Sequence, residues 1–242
     1  MKKPTISRFG ERAILIQWDH EVEEAALYQI LAVKQVLVEE LVESKVEVLT
    51  TYNTIFIKYP LRIREFNKVK SQLESIFRSV PKVRQSVARL FTIPVCYDKS
   101  LGVDIVEVAR LKKMTIEEVV KRHTQPIYTI YFQGFLPGFL YLGGLDKALK
   151  VSRKKEPRLH LSKGSVGLAE NQTGIYPQDS AGGWQIIGNS PIEFFNAENH
   201  PPSPFRAGDK LKFQAISLAT HKVIKSEVEK GIYNIQSKYF RE

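Results

Sequence analysis

The 242-residue sequence has a single cysteine, Cys96, so it can form neither an internal disulfide nor a zinc site built from several thiolates. No stretch approaches the ~18 consecutive apolar residues of a membrane span. The opening MKKPTISRFG follows its lysines with polar residues instead of an apolar signal core. Together these absences predict a cytoplasmic protein with no membrane contact. The patterns GxxxxGK(S/T), GxGxxG, GxSxG and HExxH are all missing, which removes the common phosphate-loop, dinucleotide, serine-hydrolase and metalloprotease chemistries. The five histidines, at positions 20, 123, 160, 200 and 221, include no pair at helical spacing, which argues against a metal site. His123 closes a helix just before Pro126, where a cation capping the helix C-terminus and a catalytic imidazole are alternative readings. Cys96 reads as a buried strand residue.

Charge is plentiful but dispersed. Lys and Arg number 36 against 26 acidic residues, a formal net charge of +10, and the tightest basic run is SRKKEPR at 152–158. Most of this reads as solvated surface. No helix-turn-helix, zinc-finger or RNA-recognition signature accompanies it, so nucleic acid is not an expected partner. The 152–158 run is the place to meet a phosphate, a carboxylate or an acidic partner protein.

The first third alternates strand and helix patterns. ERAILIQW reads as a strand, and Val22, Ala26, Ile30, Val33, Leu37 and Leu41 fall three or four apart, as on one face of a helix. Asp19 is the expected N-cap, with the helix starting near His20. VEVLTTY and TIFIKY then read as two strands joined around Asn53, and LRIREFNKVKSQLESIF as a second helix. The polar segment PKVRQSVAR marks a domain boundary. Beyond it come a strand (LFTIPVCY), a helix (DIVEVARLKK), a helix opened by a Thr115–Glu118 capping box, and a strand (IYTIYFQ). Short turn-punctuated strands follow, SVGLA, GWQIIG, IEFF and KLKFQAIS, the spacing of an antiparallel barrel or sandwich. HKVIKSEVEKG looks helical, and the tail after it has no clear pattern.

Ten of the 14 glycines lie between Gln133 and Ser190, interleaved with Phe135, Phe139, Tyr141, Tyr176 and Trp184. GFLPGFLYLGGL reads as a shaped loop whose rings wall a pocket or pack as core. Gln172 and Thr173, at what reads as a glycine-bounded turn, supply an amide and a hydroxyl that suit a small amide or carboxylate, or bond only to the turn itself. Trp184, after two glycines, lies over the same pocket or plugs the barrel.

GFLPGFLYLGGL, Arg153 with Pro157-Arg158, KGSVGLAENQTGIYPQDSAGGWQIIGNSP and AGDKLKF, in that order, resemble the allophanate hydrolase subunit 1 family over essentially the whole chain. The resemblance implies an α+β protein: a small ferredoxin-like α/β N-terminal domain over 1–84, then a cyclophilin-like antiparallel β-barrel domain over 85–242. It implies the B component of an ATP-dependent 5-oxoprolinase, converting 5-oxo-L-proline to L-glutamate and inactive alone. The implied partners are a subunit-C-like protein (allophanate hydrolase subunit 2) and a LamB/YcsF-like protein as the A component. ATP would be bound in the assembled complex, and no metal or organic cofactor is expected on this chain. Two other family roles stay open, a KipI-like inhibitor of histidine-kinase autophosphorylation and a component of an allophanate/urea carboxyltransferase system. The expected ligand-binding residues are Gln172, Thr173, Tyr176, Trp184 and Ser165, and the expected partner interface is Phe135, Phe139, Tyr141, Arg153 and Arg158. No residue stands out as catalytic acid, base or nucleophile. The sequence departs from the family pattern at Leu140, at Leu161-Ser162-Lys163 and at Ala181. These changes relax backbone restriction and leave ligand specificity open, with Lys163 adding a charge.

Overall fold

A computed structural model of the chain describes residues 3–19, 23–81 and 87–240. The chain divides into two compact units, 1–86 and 87–242. The segment 82–86, inside the expected boundary, and His20, the expected helix start, lie outside the described residues.

The first unit runs β1 (Thr5–Phe9), β2 (Ala13–Gln17), α1 (Glu24–Glu40), β3 (Glu47–Thr50), β4 (Thr54–Lys58) and α2 (Phe66–Ser79). Its four strands form an antiparallel sheet in the order β1-β2-β4-β3. Period-2 alternation sends Ile6, Ile14, Ile16, Val48, Ile55 and Ile57 to one face, where Ile30, Val33 and Leu37 of α1 and Leu73 and Ile76 of α2 cover them. This is the ferredoxin-like arrangement with one strand moved: β1 occupies the edge beside β2 that a strand after α2 would otherwise fill. Strand β1 carries no apolar alternation in its sequence, because four of its five residues are exposed. Helix α1 begins at Glu24 with Glu23 as N-cap, so Asp19 does not cap it.

The second unit contains β5 (Ala88–Cys96), α3 (Ile105–Lys112), α4 (Ile116–Thr124), β6 (Tyr128–Gln133), β7 (Leu140–Gly143), β8 (Arg158–Leu161) and β9 (Ser165–Ala169). It continues with β10 (Gln172–Ile175), β11 (Ser180–Gly182), β12 (Gln185–Asn189), β13 (Lys210–Ile216), α5 (Leu218–Glu229) and β14 (Ser237–Phe240). Strands β12-β9-β10-β7-β6-β13-β5 form a closed barrel, sealed by Asn189 against Cys96. All pairs are antiparallel except β5–β13, which is parallel over seven residues. Strand β14, in the tail with no clear pattern, pairs with the first half of β5, and β8 pairs with β11 as a separate ribbon. Inward residues such as Ile93, Val95, Ile130, Leu142, Val166, Leu168, Ile175 and Phe213 fill the barrel, and Ile105, Val108 and Val119 of α3 and α4 join the same core. The Thr115–Glu118 capping box is present at the start of α4.

Three expectations need correction. IEFF is irregular, because its anchors Ile192 and Phe194 are buried as plugs without ladder partners. GFLPGFLYLGGL is a loop only as far as Phe139, since Leu140–Gly143 forms β7. Gln172–Ile175 is the strand β10 and not a turn; the turn is made by Glu170 and Asn171, with Glu170 at φ +49°.

The second unit has its own core and complete strand pairing, so residues 87–242 expressed alone should fold. Thermal melting followed by circular dichroism checks this: a cooperative transition with a β spectrum is expected, and a non-cooperative melt would show dependence on the first unit.

Candidate functional site

The strand β10 separates two clusters. On the inner side, Thr173 is fully buried and its Oγ1 donates to Gly167 O at 3.1 Å. That uses its only proton, so at 2.9 Å it accepts from His123 Nε2–H, which leaves Nδ1 to accept from the Tyr97 hydroxyl at 2.6 Å. Tyr128 donates to the His123 carbonyl at 2.8 Å, and the His123 ring stacks on Phe213 with centroids 4.4 Å apart. Burial pushes the His123 pKa down to about 3, and pushes the Tyr97 phenol well up, with Tyr128 adding to the effect. His123 is therefore neutral and internal, neither a helix-capping cation nor an exposed base. The sequence showed its helix but not its partners, 26 and 50 residues away.

On the outer side two glycines, Gly167 and Gly174, face each other across β9 and β10. A Cβ on Gly174 would come within 2.8 Å of Phe139 and 3.0 Å of Trp184, and one on Gly167 within 3.0 Å of Trp184. The missing side chains leave a trough filled by the Phe139 and Trp184 rings, packed edge-to-face at 5.5 Å. Tyr176 meets Phe139 at 5.2 Å, and Leu161, Ala169 and Ile186 complete the cluster. Alternation puts Gln172 and Tyr141 on the same outer face as Gly174. Tyr141 is half-buried, with Phe132 stacked on it at 4.4 Å.

The rim of this face is built from two loops. In 134–139, Leu136 N–H donates to Gly134 O at 2.8 Å across Phe135, whose φ is +66°. This is the strained form of γ-turn, and it leaves Phe135 64% exposed. The second loop, 151–158, is fixed by Glu170 N–H to Val151 O (2.7 Å), Gln185 Nε2 to Ser152 O (3.2 Å) and Lys154 N–H to Gly183 O (2.7 Å). Its Arg158 is bidentate on buried Asp104, at 2.7 and 2.6 Å, with Lys154 at 3.3 Å and the Ile186 N–H at 2.8 Å. Burial alone would raise the Asp104 pKa, but Arg158, the Ile186 N–H and Lys154 outweigh it and hold the carboxyl below its usual range.

The structure thus gathers Gln172, Tyr176, Trp184, Phe135, Phe139, Tyr141 and Arg153 around one outer face. Thr173 lies behind it in the barrel, Ser165 is buried with Oγ donating to Ser162 O, and the Arg158 guanidinium is occupied by Asp104. Asp104 was not found from sequence, because it lies 54 residues from Arg158.

The sequence matches the family described as carboxyltransferase domain, subdomain C and D, over residues 4–205. It is 34% identical over 234 residues, 92% of this chain and 97% of the relative, to a protein of Bacillus subtilis (strain 168) named as the B component of 5-oxoprolinase. The crystal structure of TTHA0988 aligns with TM-score 0.75 at 30% identity, covering 85% of this chain. The Kluyveromyces lactis urea carboxylase structure aligns with TM-score 0.81 over 98% of this chain, at 16% identity. The chain spans 40% of the first of these structures and 24% of the second.

Two outcomes follow from the β10 geometry. Gly174→Ala overpacks the trough and should cost about 1–3 kcal/mol, read as a lower denaturation midpoint. His123 has a folded pKa below its ordinary 6.5, so the stability it confers is complete above that pH and is lost as pH falls toward about 3. The slope from this group is about 1.4 kcal/mol per pH unit. His123→Phe should lower the melting temperature at pH 7 and flatten its decline between pH 6.5 and about 4.5, leaving there the contribution of His221, whose pKa burial and Lys225 also lower; below that, carboxyls with lowered pKa such as Asp104 take over in both proteins. An unchanged decline would show that His123 is not held neutral.

Proposed function

The chain belongs to the carboxyltransferase domain, subdomain C and D family, and on that premise we propose that it is the B component of an ATP-dependent 5-oxoprolinase. The observation that carries the reading is the near end-to-end alignment with a relative of that name. The reaction opens the lactam of 5-oxo-L-proline to L-glutamate. A lactam is a resonance-stabilised amide, and phosphorylating its oxygen with ATP makes the carbonyl carbon open to water.

This division of labour suits the residues present. The outer aromatic face offers rings and an amide, while the hydroxyls of Ser165 and Thr173 behind it donate to backbone carbonyls instead of to a base. In this reading Gln172 orients the ligand, Tyr176 and Trp184 form its floor, and Thr173 and Ser165 fix the strands beneath. The partner proteins, one subunit-C-like and one LamB/YcsF-like, supply the reactive groups. The partner closes over Phe135, Phe139, Tyr141, Arg153 and Arg158, with Arg158 acting through the fixed 151–158 loop. ATP belongs to the assembled complex, at a site that is unconventional or shared with the partners, since this sequence has no phosphate loop.

Co-expression with the two partner proteins and assay of 5-oxoproline-dependent ADP release tests the reading. Release by the complex and none by the isolated chain is expected; a silent complex, or an active lone chain, overturns it. Within the active complex, Gln172→Ala should lower kcat/KM by about tenfold or more, since a buried polar contact to ligand is lost. Asn171→Ala, at the exposed hairpin tip, should stay within about twofold. Equal losses would show that the hairpin matters only as a turn.

A further inference from the structure

We propose that Arg153 reads the carboxylate of a small cyclic amide acid at the outer aromatic face. This assignment of ligand class rests on the oxoprolinase reading above. Its structural basis is independent of that reading.

The 151–158 loop contains four cations in six residues, 153–158, and the structure treats them differently. Arg158 and Lys154 both turn to Asp104. Arg153, between two backbone-anchored neighbours, has no ion-pair partner among the described residues. An arginine whose backbone is fixed on both sides but whose guanidinium has no carboxylate is preorganised for an incoming anion. Its surroundings are aromatic: its charge acts on both the Tyr141 and the Tyr176 phenols, opposing the rise that burial causes in each. In both, burial outweighs the guanidinium and the net shift is upward, so the phenols stay protonated near neutral pH and no phenolate competes for the guanidinium.

Beside this cation the 151–158 loop is packed against the barrel: Gly183 is buried, and a Cβ on it would make ordinary contact with Pro157 and with Lys154 O from 3.6 Å. Phe135 is held outward by a strained turn while its ring still meets Phe139 at 5.7 Å and Tyr176 at 6.3 Å. Strain that exposes an apolar ring is retained where the ring has a partner to cover. One cation, one amide on Gln172 and an apolar wall match a ring bearing one carboxylate and one amide, and a polyphosphate would require several converging cations or N–H groups.

The experiment compares wild-type and Arg153→Gln chains in the assembled complex, with 5-oxo-L-proline and with 2-pyrrolidinone, the same lactam without a carboxylate. For 5-oxo-L-proline, KM should rise about 30-fold with kcat within about twofold, as expected for a lost charge-assisted contact. Arg153→Lys should recover part of the loss, because a lysine keeps the charge but not the fork. Both proteins should handle 2-pyrrolidinone equally poorly. Melting temperatures should coincide, since Arg153 is exposed. An unchanged KM, or a fall confined to kcat, overturns the assignment. If the wild-type complex does not turn over 5-oxo-L-proline, the oxoprolinase reading fails, and tryptophan fluorescence of the isolated chain decides the subsite. Saturable quenching by 5-oxo-L-proline and by acetate, lost in Arg153→Gln, supports a carboxylate site. Quenching by inorganic phosphate alone, or none at all, overturns it.

Discussion

The wall of the second unit depends on a constraint at β10: successive side chains point to opposite faces, and both faces are already claimed. Inward, Thr173 is locked to His123 and Gly167 O; outward, Gly174 must have no side chain for Phe139 and Trp184 to settle against the strand. A slip of one residue would drive Gly174 into the barrel and Thr173 into the aromatic trough, destroying both clusters. The register of the site is thus fixed from behind by a buried hydrogen-bond chain and from the front by ring packing.

The charges around the site follow the same economy. Asp104 sits at the start of α3, accepts from Ile186 N–H, and draws Arg158 and Lys154 onto one buried carboxylate. Its value is positional: removing it would strand two cations and release the loop that carries Arg153. Because the loop is also tied to Glu170, Gln185 and Gly183, the rim of the aromatic face moves with the barrel and not as a free flap.

Much of this was legible from local pattern, and what was not depended on distant partners. The helix α4 declared itself through its capping box, and α1 through its apolar spacing, because those signals lie within one or two turns. By local pattern Gln172–Ile175 looks like a turn, because a glycine between polar residues resembles punctuation; in a strand, a glycine marks the close approach of another group, here the Phe139 and Trp184 rings. IEFF had strand composition, but composition does not say whether a ladder partner is available. The aromatic cluster was visible as a group of rings, while the Asp104–Arg158 pair and the His123 chain, each joining residues tens of positions apart, leave no local trace.

The strand β5 opens the second unit, yet its ladder partners come late. Lys210–Ile216 pairs with it in parallel, and Ser237–Phe240 covers its first half. On a ribosome, the first unit can pair all its strands from its own neighbouring sequence soon after it emerges, while the apolar run LFTIPVC waits for partners more than a hundred residues later, at Lys210–Ile216 and Ser237–Phe240. Until then its backbone edges are free to meet any other strand. The order of synthesis therefore leaves β5 the last strand of the barrel to be covered, and a premature stop anywhere before Ser237 would leave the first half of β5 uncovered on that side in every molecule made.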